Sequence, residues 1–412
     1  PMRIYKLDNP VQRYAWGSRD GIASALGVPN PGGGPFAELW MGAHPSAPSQ
    51  VEAEGRKLGL DELIAADPEA CLGSVCVERF GRELPFLFKA LSAGSPLSIQ
   101  AHPGKRKAEL GFERENLSGI PVDAPERNYR DPNHKPEASV ALTRLELLCG
   151  FRPIAEIIEN VRALGSGRYS HAFDRLERNP GRAELSVLFY GIVSAEEGIR
   201  HETLEHARRD VEELLASGGV PPGREGAFRW VLRLMELFPG DIGALAPLVL
   251  NLVEVETGQS VAIAPGELHA YLSGTCLELM ANSDNVIRGA LTGKHVDLPE
   301  LVSVLSFNPE RVRPVGPEPA SGGEECYPLF VPDFQISRIT LRPGEPWERR
   351  GSGPEILLCA QGEAEIAGGA PGSGGLRLAR GESAFAAADS GRLSARAEGG
   401  ALLYRAFVPE IP

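Results

Sequence analysis

The spacing of apolar residues changes period twice along this chain of 412 residues, and that double change most constrains its fold. Within 153–240 the apolar positions follow a helix. Ile154, Ile157, Ile158, Val161 and Leu164 fall at i, i+3, i+4, i+7 and i+10, a single stripe. Two further helices are predicted over 196–216 and 226–238, parted by the breaker run Ser-Gly-Gly-Val-Pro-Pro-Gly from position 217. On either side of this block the pattern is that of strands. Before it, PFLFKAL and PLSIQAH are apolar runs joined by Ser-Ala-Gly, a strand–turn–strand signature. The polar, proline-rich 103–136 reads as a long loop with at most a short helix. Strand patterning returns over 247–280. From about 327 onward FQISRITL, EILLCAQGEAEIAGG, LRLARGESAFAAA and ALLYRAFV predict an all-β unit. The expectation is a mainly β protein of β-sandwich character carrying a helical insertion.

Composition excludes several classes of function. A net charge of −13 argues against nucleic acid as a partner, although a few local cations suffice for a phosphorylated ligand. The most apolar stretch, 242–255, is broken by Pro247 and Asn251 and is too short for a bilayer. The opening PMRIYKLDNP lacks the apolar core of a signal peptide. Cysteines 71, 76, 149, 276, 326 and 359 form no CxxC pair and read as reduced thiols. Together these features predict a cytoplasmic protein with no membrane partner.

Four polar segments could carry chemistry. In PLSIQAHP a strand puts Ser98, Gln100 and His102 on one face and Leu97, Ile99 and Ala101 on the other. That face is either solvated or the lining of a polar interior site. DPNHKPE, residues 131–137, gathers an Asp, a His, a Lys and a Glu between prolines that stiffen it. Spacing alone favours a charged surface turn. In APGELHAYLSG, His269 and Tyr271 share a strand face, and a lone histidine there is more often structural. In CLELMANSDNVIRGALTGKHVD, Cys276, Glu278 and Met280 share a face, followed by an Asn-Ser-Asp-Asn run, Arg288 and Lys294. Taken singly, this last segment reads as a solvated loop.

Taken together and in order, these segments resemble the type I phosphomannose isomerases. YAWGS, AELWMGAHPSAPS, LPFLFKALSAGSPLSIQAHP, DPNHKPE, LCGFRP, GELHAYLSGTCLELMANSDNVIRGALTGKHVD and LSFNP carry the likeness across residues 3–310. Ala290 departs from the glycine expected there, and the chain beyond 320 carries little of the pattern.

The resemblance implies cupin-type jelly-roll sandwiches with an inserted α-helical domain. The catalytic cupin would span 1–152 and 246–320, the helical insertion 153–245, and a structural β-sandwich 321–412. One Zn2+ per chain would be held by Gln100, His102, Glu137 and His269. Two imidazoles, a carboxylate and an amide oxygen leave room for water or substrate. The HxH pattern usual in metal-binding cupins is absent. The implied reaction interconverts mannose 6-phosphate and fructose 6-phosphate through an enediol. Arg288 would stabilise developing charge, Glu278 is the leading candidate for the base, and Lys135 would assist ring opening or bind substrate. Ser98, Lys89 and Lys294 would capture phosphate. Trp16, Tyr271 and Asp284 would complete the substrate pocket, a buried core position being the alternative for Trp16. A monomer is expected, with an oligomer left open. Two other readings remain: a metal-dependent cupin oxygenase, which the Gln ligand disfavours, and a sugar-binding module without turnover, which the intact Arg288 and Lys135 disfavour.

Overall fold

In the computed structural model, which describes residues 3–165, 171–351, 353–369 and 375–410, antiparallel sheets and helices share the chain almost evenly, at 31% and 30%. The site-bearing sheet runs in the order Leu250–Val255, Leu145–Phe151, His269–Ala281, Phe86–Ala93, Glu38–Met41 and Val11–Gln12. Glu137–Ala141, Ser260–Ile263, Ile99–Ala101 and Ile287–Ala290 branch from this path. The long strand His269–Ala281 joins two halves of the sheet. Its first part pairs with Leu145–Phe151, and its second part lies between Phe86–Ala93 and Glu137–Ala141. It turns at Gly274, where φ is 106° and a Cβ would come within 2.4 Å of the Arg144 carbonyl. Only glycine meets both demands. The inner faces of the two halves share a core of Leu91, Ala141, Leu147, Cys149, Val253, Tyr271 and Cys276.

Strand alternation sends the opposite faces elsewhere. Phe86, Phe88, Ala90, Ala138, Val140, Leu277 and Leu279 pack in one cluster with Tyr327, Phe334, Ile336, Ile356, Phe385 and Tyr404. Of the latter group, Ile336, Ile356, Phe385 and Tyr404 belong to a second sheet of Glu355–Gly368, Ala401–Phe407, Gln335–Leu341 and neighbouring strands, and Tyr327 and Phe334 flank its strands. Its edge is Ile4–Leu7, paired with Ser383–Ala386, so the sheet built by the end of the chain takes in a strand from its beginning. On the other side Ile99, Ala101, Leu148, Leu268, Ala270 and Ile287 pack against the helical block. The strands that carry the polar segments are thus held between helices and a second sheet.

The helices at Ile154–Ala163, Glu197–Ser217 and Glu225–Leu237 lie where the apolar stripes predict them. Two more, His171–Arg178 and Arg182–Val193, stand between them. The long-loop expectation for 103–136 is corrected by a 13-residue helix, Lys105–Leu117. It shows no apolar stripe because it buries only Ala108, Gly111 and Glu115. Polar contacts hold it instead, with Glu115 accepting from the backbone of Asn128 and Tyr129 at 3.1 and 2.8 Å. No helix among the described residues is long and apolar enough to cross a membrane, and all six cysteines are free.

Candidate active site

The strand register brings the four polar segments together. His269 lies opposite Gln100, Arg288 opposite Gln100 on its other side, Met280 opposite Glu137, and Glu278 opposite both Lys89 and Ser139. Ile99 and Ala101 face the helical core, so alternation turns Gln100 the other way, into the sheet interior. The ligand atoms of His102, Glu137 and His269 lie within 4.8 Å of one another, and all three residues are buried. Nε2 of each histidine is 3.3 Å from a different Glu137 oxygen.

The outer ring nitrogens show what these groups are set up to do. Nδ1 of His102 is 2.7 Å from the Asn285 carbonyl, and Nδ1 of His269 is 3.0 Å from the Glu267 carbonyl. Each Nδ1–H donates to a backbone oxygen, which leaves each Nε2 as a lone-pair donor. Those two nitrogens and Glu137 Oε2 are buried without a hydrogen-bond partner. Such orphaned acceptors are costly unless a cation completes them. The chemistry of the donor set therefore fits a divalent metal.

Electrostatics around the group are steep. Burial drives the His102 pKa down to about 4, with Lys135 adding to the fall. Burial also lowers His269, but the adjacent Glu137 carboxylate more than offsets it. Burial raises Glu137, and Lys135 and His102 overcome that to hold its carboxyl well below the ordinary range. Lys135 Nζ lies 3.2 Å from Glu137 Oε1.

Beside the metal group runs a buried polar chain. Trp40 Nε1 donates to Glu38 at 2.7 Å, and Lys89 Nζ bonds Glu38 at 3.3 Å and Glu278 at 2.7 Å. Tyr271 donates to the second Glu278 oxygen at 2.8 Å and also meets Ser139. Glu278 is 2% exposed with both oxygens engaged. Burial raises its pKa against the pull of Lys89. This geometry suits holding Lys89 in place more than taking a proton from a ligand. Lys89, in turn, is committed to two carboxylates rather than free for phosphate.

The free cations lie elsewhere. Burial lowers the Arg288 pKa and the charge of Arg130 adds to this; Arg288 in turn lowers Lys294. Among the described residues none of these three forms a close ion pair with a carboxylate. Ser98 is partly exposed just before the Ile99–Ala101 strand. Trp16 stacks on Tyr14 at 5.6 Å and packs against the inner core that contains Tyr271. Asp284 is half exposed and accepts from His44 at 3.1 Å. That bond holds its carboxyl low against burial, with help from Lys135 and Arg130.

Glu38, His44, Arg130, Asn285 and Asp333 were not singled out by sequence reading. Glu38 and His44 lie within AELWMGAHP, and Asn285 ends the Asn-Ser-Asp-Asn run, so their segments were marked but not their roles. That run is no solvated loop. Asn285 is fully buried, accepts from the backbone of Arg130 at 2.7 Å and donates to the carbonyls of Asp131 and Asn133. Asp333 lies where no motif points.

A family model described as phosphomannose isomerase type I, catalytic domain, matches residues 4–154. The chain is 39% identical to the mannose-6-phosphate isomerase of Escherichia coli (strain K12), over 96% of this chain and 98% of that protein. It is 33% identical to the mannose-6-phosphate isomerase of Homo sapiens, over 87% of this chain and 88% of that one. It is also similar to a solved structure of mannose 6-phosphate isomerase from Salmonella typhimurium, described as bound to substrate and to a zinc atom. The TM-score is 0.88 at 37% identity, covering 99% of this chain and 100% of that one.

Proposed function

The chain belongs to the type I mannose-6-phosphate isomerases, and we propose that it interconverts mannose 6-phosphate and fructose 6-phosphate at a Zn2+ ion held by Gln100, His102, Glu137 and His269. One observation carries this reading: three buried ligand atoms without partners converge in a chain matched end to end by such isomerases. When bound, the ion supplies Lewis acidity to sugar oxygens that gain negative charge.

The residues of the chain do the rest. Arg130, Arg288 and Lys294 form a cationic rim suited to a phosphate dianion and to charge developing on the sugar. In this reading Arg130 takes the phosphate-binding role first assigned to Lys89, with Ser98 at the rim. Lys135 reaches the reacting end of the sugar beside Glu137. Trp16 and Tyr271 shape the apolar wall. The proton moves between C2 and C1 through an enediol. Glu278, enclosed by Lys89 and Tyr271, is better read as support. Asp284, exposed to solvent beside His44, is the alternative carboxylate to receive that proton, though its lowered pKa makes it the weaker base. The fold is read as cupin-type jelly rolls, with a catalytic unit over 1–152 and 246–320, an inserted helical unit over 153–245 and a β-sandwich over 321–412. The alternation of inner and outer faces supports that reading. We further propose a cytoplasmic monomer.

A coupled assay for fructose 6-phosphate tests the function. Activity should vanish on chelation and return with Zn2+. Full turnover by metal-free protein, or none by zinc-loaded protein, would refute it. In heavy water, deuterium should enter C1 of fructose 6-phosphate, because a proton held on a protein base exchanges with solvent. Complete retention of the substrate's own C2 hydrogen would exclude the enediol route.

A further inference from the structure

Far in sequence from the motifs that mark the site, one residue beyond position 320 reaches the segment that carries Lys135 and Glu137. Asp333 Oδ1 and Oδ2 lie 3.0 and 2.9 Å from Nε2 of His134. The carboxylate is almost fully buried and the imidazole mostly so, at 4% and 20% side-chain exposure. Two close oxygens on one ring nitrogen fix both the position and the tautomer of the imidazole.

The platform beneath Asp333 is buried. Tyr327, Leu329 and Phe334 are buried in the same cluster as Phe88, Ala138 and Leu277, the outer face of the site-bearing strands. Tyr327 also bonds the Gly258 carbonyl at 2.8 Å. Asp333 therefore cannot shift without disturbing the core shared by both sheets.

Along this loop, His134 and Lys135 bond to different partners. Lys135 and Glu137 face inward and touch at 3.2 Å. His134 faces outward to Asp333. From the other side, Asn285 and Asn282 hold the same loop through Asn133. Bonds at 133 and 134 thus restrain the backbone from which the Lys135 ammonium extends.

We propose that Asp333 is a positioning residue for the isomerisation, acting through His134 to set Lys135 against Glu137. This rests on the isomerase reading of the site. Wild-type turnover in the same assay separates the two, since an inactive wild type refutes the reading whereas an active one leaves Asp333 to be judged on its variants. Asp333→Ala should lower kcat about 10-fold or more, the scale seen when outer partners of metal-site residues are removed. KM, zinc content and melting temperature should stay close to wild type. Asp333→Asn, which keeps an acceptor oxygen, should recover much of the loss. Adding Asp333→Ala to His134→Ala should cost nothing further. Should the alanine variant fail to fold, Asp333→Leu fills the space without accepting a bond and is read in the same way. A kcat within 2-fold of wild type, additive losses in the double variant, or a fall that merely tracks lost zinc or lost folded protein would each overturn the proposal.

Discussion

At the scale of single residues, the site is governed by what each polar atom is already bonded to. Lys89 and Glu278 looked free in sequence, but each is spent on the other and on Glu38 or Tyr271. Arg288 is the converse, a partly buried guanidinium that forms no ion pair among the described residues and feels the charge of Arg130. It should matter most when negative charge builds on the sugar. Arg288→Ala should retain zinc and fold but lose kcat by about 100-fold, the order expected when one preorganised charge-stabilising group is removed. Steady-state kinetics check this, and a variant altered only in KM would reduce Arg288 to a binding contact. The converging group of His102, Glu137 and His269 was marked in sequence because QAHP, NHKPE and GELH stand out as words. The bonding state of their neighbours was not, since alternation tells which face a side chain takes but not who meets it across the sheet. Ala290 shows how a departure is absorbed. A Cβ on Gly243 would approach the Ala290 methyl to 2.5 Å, so the extra methyl at 290 faces a residue without a side chain.

At the scale of elements, a single carboxylate ties the helical block to the sheet. Glu156, in the first turn of Ile154–Ala163, meets Arg152 at 3.2 Å and Arg224 at 3.4 Å, and also Arg311. These come from the link after the strand Leu145–Phe151, the residue that precedes Glu225–Leu237 and the run beyond residue 305. Burial raises the Glu156 pKa, but the three guanidiniums outweigh burial and leave it below its ordinary 4.5. A group depressed in the folded state stabilises above its unfolded pKa and loses that contribution as pH falls through the folded one. Glu156→Gln should therefore cost stability near neutral pH, on the order of 1 kcal/mol because solvent screens a cluster whose Arg311 is half exposed. The gap between variant and wild type should close as pH drops below 4.5. Urea unfolding over a pH series measures it, and a gap independent of pH would mean that charge is not the cause. The helices themselves were readable where a 3.6-residue stripe exists. Lys105–Leu117 was hidden because polar bonds, not an apolar face, hold it.

At the scale of the molecule, a chain of net charge −13 keeps a small positive rim at Arg130, Arg288 and Lys294. Against an acidic surface that rim concentrates the local field and favours a dianion there over elsewhere. The division into sheets was readable from period and turns, but their mutual packing was not. Nothing in the pattern of Ile4–Leu7 announces Ser383–Ala386 as its partner, and nothing in the segment after 320 announces the core it shares with Phe88 and Leu277. The bond between His102 and the Asn285 carbonyl spans 183 residues of sequence, and that between His134 and Asp333 spans 199. On a ribosome, the ring of His102 therefore emerges long before the group that orients it has been made. Contacts so distant in sequence form late in folding. The metal-binding group of this chain is therefore complete only once synthesis has passed Asn285.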